Sequence, residues 1–134
     1  RSVECLAQNM FISPPTLSQI AASAAFDSYQ EAEDNVKRYA INRSILMNEL
    51  PSSGLDKLAP ADGAFYIYAD IAHFTNDSVE FCKRMLEEIG VACTPGLDFD
   101  PDRGGSTLRL SFSGAENDMI EACKRIKTWL KKYY

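Results

Sequence analysis

The stretch TLRLSF, Thr107 to Phe112, alternates Leu108, Leu110 and Phe112 with Thr107, Arg109 and Ser111. Successive side chains of a strand leave on opposite sides, so an apolar residue at every second position marks a strand with one buried face. A second segment, GAFYIYADI from Gly63 to Ile71, is rich in aromatic and β-branched residues and reads as the strongest strand of the chain. Two half-buried strands in so short a chain need helices to cover their apolar side, and the rest of the sequence supplies them.

RSVECLAQNM sets Val3, Leu6, Ala7 and Met10 at helical spacing, and an opening at Arg1 inside a helical turn leads us to expect a piece of something longer. In ISPPTLSQIAASAAF, Ser13 is placed to cap a helix and Pro14 to fill its first position, with Ala21, Ala22, Ala24 and Ala25 allowing close backbone approach. A long helix is expected from about Ser28 to Leu50, with a stripe of Ala32, Val36, Tyr39, Leu46 and Leu50, ended by PSSG. NDSVEFCKRMLEEIG carries a cap at Asp77 and Glu80, a stripe of Val79, Cys82, Met85, Leu86 and Ile89, and Gly90 as its stop. VACTP reads as a short strand and GLDFDPDRGG as a loop. Ser113 and Glu116 form a capping box for a last helix with Met119, Ile120, Cys123, Ile126 and Leu130 on its apolar stripe. The order helix, long helix, strand, helix, strand, strand, helix implies an α/β (α+β) two-layer sandwich, a small mixed sheet with helices packed on one face. The other face is left uncovered, with Arg109 on it.

A length of 134 residues suits one domain with a real core. With 46% hydrophobic and 25% charged residues the chain falls among ordinary soluble globular proteins. A net charge of -5 argues against a nucleic-acid partner, and the five cations of KRIKTWLKKYY read as a solvated face that suits a helix C-terminus. Cys5, Cys82, Cys93 and Cys123 show no CxxC spacing, a reduced intracellular pattern, and His73 has no second ligand at metal-binding spacing. No apolar run approaches the ~20 residues of a membrane span, and the opening lacks the pattern of a secretion signal. We expect a cytoplasmic protein with no metal and no membrane partner.

No G-x-S-x-G elbow is present, His73 has no neighbouring nucleophile, and PDRGGST matches neither a P-loop nor a dinucleotide fingerprint. Asp98, Asp100 and Asp102 alternate in one loop without the glycine and distal glutamate of a calcium loop, and read as solvated. Arg109 has two readings. It is either a solvent-facing arginine with its stem over apolar neighbours, or a receptor whose planar guanidinium offers a two-pronged fit to a carboxylate or phosphate.

VACTPGLDFDPDRGGSTLRLSFSGAEND resembles the C-terminal region of the fold-type I, pyridoxal-phosphate-dependent aminotransferases, the class I/II group that includes aspartate aminotransferase. The match lies in a short strand ending in Pro95-Gly96, Phe99 three residues on, a variable loop, and Arg109-Leu110-Ser111-Phe112 before a capped helix. LAQNMFISPPTLSQIAASAAF and PADGAFYIYADI resemble two further family segments, in the same order. The resemblance implies residues 1–26 as a connecting helical segment and 27–134 as the family's small domain. It implies Arg109 as the receptor of the substrate α-carboxylate, Gly63 and Phe65 beside the substrate, and Ser13, Pro14, Pro95 and Gly96 as residues that shape the site. It further implies amino-acid and 2-oxo-acid substrates, a homodimer and a preceding large domain. Pyridoxal phosphate would be bound by the full-length protein only, because none of Lys37, Lys57, Lys83, Lys124, Lys127, Lys131 and Lys132 has the context of the Schiff-base lysine and no catalytic residue falls in this chain. Two alternatives stay open: a stand-alone domain binding amino acids or a partner protein, and a piece of a related lyase or synthase of the same fold.

Overall fold

Two short helices, α1 (Ser2–Met10) and α2 (Thr16–Ala25), open the computed structural model, which describes residues 1–134. Neither buries a side chain, and Val3, Leu6, Leu17 and Ile20 are all exposed. Ser13 does not cap α2 and Pro14 is not its first residue; Pro15 holds the N-cap position with no side-chain cap bond. The reason lies in the Pro-Pro pair, because a proline pushes its predecessor out of the helical region and so delays the helix. The chain divides into two units, Arg1–Val36 and Lys37–Tyr134.

The long helix α3 (Tyr29–Ser53) begins where expected and runs three residues past Leu50, with Pro51 in its final turn. Proline there denies the Met47 carbonyl its helical donor, and the helix end is closed one turn on, where Ser53 Oγ donates to the Leu50 carbonyl at 2.6 Å and the Leu55 amide to the same oxygen at 3.1 Å. Gly54, at φ 107°, then turns the chain. The expected stripe is buried only in its second half. Leu46 and Leu50 are in the core, Tyr39 is half-buried, and Ala32 and Val36 are exposed.

Residues 37–134 complete the architecture with β1 (Tyr66–Asp70), α4 (Ser78–Ile89), β2 (Thr94–Pro95), β3 (Thr107–Ser111) and α5 (Glu116–Tyr133). The three strands lie in the order β1-β3-β2 and are antiparallel throughout rather than mixed. β1 and β2 do run in the same direction, as the β1–α4–β2 crossover favours, but β3 inserts between them and removes the parallel pair. Ile67 pairs with Leu110 and Ala69 with Leu108, and all four are buried against α3, α4 and α5. The opposite face carries Tyr66, Tyr68, Thr94 and Arg109, all half-buried.

Asp77 caps α4, its carboxylate accepting from the Glu80 amide at 3.0 Å, and Gly90 closes the helix at φ 65°. Val79 and Leu86 prove exposed, whereas Phe81 takes the inward position and meets Trp129 of α5 edge-on at 5.1 Å between ring centroids. The capping box on α5 does not form. Ala115 is the N-cap residue, and the Ser113 hydroxyl is engaged with Ser111 Oγ at 3.0 Å; Glu116 and Asp118 still complement the positive end of the helix. The predicted α5 residues Cys123, Ile126 and Leu130 are buried, Met119 and Ile120 half-buried. Fully buried Asn42 fastens α3 to the end of β3, its Nδ2 donating to the carbonyls of Phe112 and Gly114 at 2.9 Å each.

Candidate functional site

Strand alternation sends Leu108 and Leu110 into the core and therefore sends Arg109 to the open face. As the central strand, β3 gives Arg109 a neighbour on either side, Tyr68 across on β1 and Thr94 across on β2. The guanidinium carbon lies 4.4 Å from the centre of the Phe99 ring and 5.0 Å from that of Tyr66. Both are within cation–π range. Nη2 donates to Thr94 Oγ1 at 3.4 Å, a long bond, and no acidic side chain pairs with the group. A guanidinium has five N–H donors in a planar fork, so most of its capacity here meets no acceptor from this chain. Half-burial costs the guanidinium hydration that no carboxylate of this chain returns.

The aromatic surroundings extend past the arginine. Tyr39, Phe65, Tyr66, Tyr68 and Phe99 follow one another at ring-to-ring distances of 6.1, 5.9, 6.0 and 6.1 Å. Tyr66 and Thr94 were not picked out by sequence reasoning, and Phe99 only as part of a motif. The signal was available for Tyr66: it alternates with Ile67 and Ala69 and so shares a face with Arg109 once the two strands pair. The contact with Phe99 depends on loop geometry that periodicity does not reach.

The other predicted site residues are unequal. Phe65 is 47% exposed and joins the aromatic run, and Gly63 is exposed, with open space for at least 4 Å around the point where a side chain's first carbon would stand. Between them Ala64 adopts the left-handed conformation at φ 57° that a glycine would be expected to hold. Pro95 pairs with Leu108 on the edge of the sheet. Gly96 is buried, and a Cβ there would lie 2.7 Å from the Gly104 carbonyl oxygen, so the two ends of the loop can touch only because both are glycine. Ser13 and Pro14 are exposed in the unit Arg1–Val36.

That loop is tightly tied. Its ends are single 3-10 turns, Gly96–Asp98 and Gly104–Ser106. The Asp100 carboxylate accepts from the amides of Asp102 and Arg103 at 3.0 and 3.1 Å, and the Gly104 amide donates to the Asp100 carbonyl at 2.8 Å. Asp100 therefore serves the loop's own backbone, and no cluster of metal ligands forms in the chain.

The face residues Tyr66, Tyr68, Thr94 and Arg109 include no cysteine, lysine or histidine. Cys93, next to Thr94, has its thiol pushed up by hydrogen bonding with Cys82 and by burial, and its Sγ donates to Met85 Sδ at 3.6 Å. Burial also raises Cys123, to about 11. Both stay protonated thiols at neutral pH. Six of the seven lysines are exposed, and Lys127 is half-buried with Nζ donating to Ser52 Oγ at 3.2 Å. None is enclosed as a lysine activated for Schiff-base formation would be, so these residues do not fit the covalent attachment of pyridoxal phosphate. A hollow of about 340 Å³ does open between α3 and α5, but its cation, Arg125, is spent on Glu121 at 2.9 Å and on the Ile89 carbonyl at 3.1 Å. The half-buried guanidinium without an acid partner is on the sheet face.

The sequence profile of the family described as aminotransferase class I and II matches residues 3–126. The chain belongs to this family. It is 53% identical over 132 residues to the valine–pyruvate aminotransferase of Mycobacterium tuberculosis, covering 97% of this chain and 34% of that protein. It is 32% identical over 129 residues to an aspartate aminotransferase of Sulfurisphaera tokodaii, covering 93% of this chain and 32% of that one. The crystal structure of an aminotransferase from Mycobacterium tuberculosis superposes with a TM-score of 0.90 at 52% identity, over 98% of this chain and 35% of the other. The chain thus spans about a third of the length of these class I and II aminotransferases.

Proposed function

We propose that this chain is the C-terminal part of a pyridoxal-phosphate-dependent amino-acid aminotransferase and that Arg109 receives the α-carboxylate of its amino-acid and 2-oxo-acid substrates. The supporting observation is a half-buried guanidinium on an open sheet face with no acid partner in its own chain. Residues 1–26 are the connecting segment and 27–134 the small domain of that enzyme, which works in the cytoplasm as a homodimer. The cofactor, bound by the part of the enzyme outside this chain, would supply the electron sink for amino-group transfer. The chain's own contribution is to hold the substrate in register. Arg109 takes the carboxylate in a two-pronged, charge-assisted bond, while Phe65 and the aromatic run keep water from the non-reacting side. Gly63 leaves room beside the substrate, and Pro95 and Gly96 fix the edge from which the Phe99 loop starts. Ser13 and Pro14 shape the site at the connecting segment. By itself the 134-residue chain has no activity.

Arg109→Lys keeps the charge and loses the fork, and Arg109→Ala loses both. In the full-length enzyme each is expected to lower kcat/KM for amino acid and 2-oxo acid at least about tenfold, ~1.4 kcal/mol, with cofactor binding little changed. Amines without a carboxylate should lose far less. Equal losses for amine and amino acid, or none, would reduce Arg109 to a surface residue.

A further inference from the structure

The guanidinium of Arg109 has little to orient it by hydrogen bonding: one long bond to Thr94 Oγ1 at 3.4 Å. An arginine head on a flexible stem would sample several rotamers, and a ligand would have to immobilise it on binding. What holds it are the two rings. Phe99 and Tyr66 reach it from opposite neighbours of β3, one from the loop that follows β2 and the other from β1. Phe99 is 49% exposed, so the core does not account for its place. Its backbone is fixed instead by the loop: the Phe99 amide donates to the Gly96 carbonyl at 2.9 Å, Asp100 ties the following turn, and Gly96 abuts Gly104. Tyr68 closes the arrangement, edge-on to Tyr66 at 6.0 Å and to Phe99 at 6.1 Å.

We infer that Phe99 and Tyr66 are positioning residues, an aromatic clamp that sets the Arg109 guanidinium in its receiving orientation before a carboxylate arrives. This rests on the reading of Arg109 as the carboxylate receptor and adds the device that makes the receptor ready. The contribution is made through Arg109 alone. Removing a ring should therefore weaken carboxylate binding by the cost of ordering one long side chain, about threefold to tenfold in Kd, and should do nothing once the arginine is gone.

The test is a double-mutant cycle in the full-length holoenzyme, with 3-methylbutanoate as probe because it carries a carboxylate and no transferable amino group, its Kd measured by calorimetry. Phe99→Leu and Tyr66→Leu are each expected to raise Kd about threefold to tenfold, and Phe99→Tyr, which keeps the ring, to restore it. In an Arg109→Ala background Phe99→Leu should have no further effect. Affinity for 3-methylbutylamine, which lacks the carboxylate, should be unchanged in every ring variant, whereas general damage to the fold would weaken both probes. If Arg109→Ala weakens the carboxylate and the ring variants do not, or if the two effects add, the clamp is overturned and the receptor stands. If Arg109→Ala itself leaves the carboxylate's affinity intact, the receptor reading falls and the clamp falls with it.

Discussion

A single carboxylate shows how much one residue can connect in this chain. Glu88, near the end of α4, accepts from Arg84 Nε at 2.9 Å through one oxygen and from Trp129 Nε1 at 2.8 Å through the other, so α4 is joined to the buried indole of α5. The Arg84 guanidinium also packs over the rings of Trp129 and Tyr133, at 5.2 and 4.8 Å. These bonds favour the ionised form, the one to Arg84 most, and hold the Glu88 carboxyl down at about 2. The sign follows from linkage. A group whose folded pKa lies below its unfolded value, about 4.3 for glutamate, favours folding above that unfolded value and ceases to do so as pH falls through the folded one. Because Glu88 is exposed, water and salt weaken the effect. Glu88→Gln should therefore lower the urea midpoint at pH 7, and the gap to the parent should close between about pH 4 and pH 2. A gap that stays constant over that range would show that the ionic form of Glu88 contributes nothing.

At the scale of elements, the sequence disclosed what depends on local periodicity and missed what depends on neighbours. All three strands, the Asp77 cap and the Gly90 stop were readable, because each is written within a few residues. Arg109 was readable as a residue on the open face for the same reason. The box at Ser113 was misread because its hydroxyl has a competing partner at Ser111, and the α4 stripe holds at Cys82, Met85 and Ile89 but not at Val79 and Leu86, since Phe81 turns inward to meet Trp129, 48 positions beyond it in the sequence. The antiparallel sheet order needed the long-range insertion of β3, which no window of sequence contains. The two glycines assigned to the site divide along the same line. Gly96 meets backbone from Gly104 and Thr107, whereas Gly63 meets nothing within 4 Å. Gly96→Ala is expected to cost at least ~2 kcal/mol in denaturant unfolding, since backbone atoms cannot swing aside as a side chain can, and Gly63→Ala to stay within ~0.5 kcal/mol. Comparable costs at both would mean that the contact between the loop ends carries no strain on closing. The Gly96 variant should also displace Phe99 and so weaken carboxylate binding in the full-length enzyme.

For the molecule as a whole the decisive contrast is between its two units. Lys37–Tyr134 has a continuous core running from Leu46 to Leu130, whereas α1 and α2, within Arg1–Val36, bury no side chain at all. Helices of 9 and 10 residues are too short to persist in water on propensity alone, and they depend on burying an apolar face. Here the faces are present and unburied: Val3 is 80% exposed, Leu17 81% and Phe26 88%. The surface we propose for them belongs to the part of the family's enzymes outside this chain, and without it we expect them to leave an apolar patch larger than soluble monomers usually carry. The 134-residue chain produced alone should bind a hydrophobic dye and self-associate as its concentration rises in sedimentation, and α1 and α2 should exchange their amide hydrogens far faster than α5. Deleting residues 1–36 should remove most of the dye binding and the association, while the same residues in the full-length enzyme should be protected from exchange. A 134-residue chain that sediments as a dye-free monomer with slow exchange in α1 would mean that these helices find their cover within the chain itself, and the assignment of residues 1–26 as a connection to a missing partner would have to be abandoned.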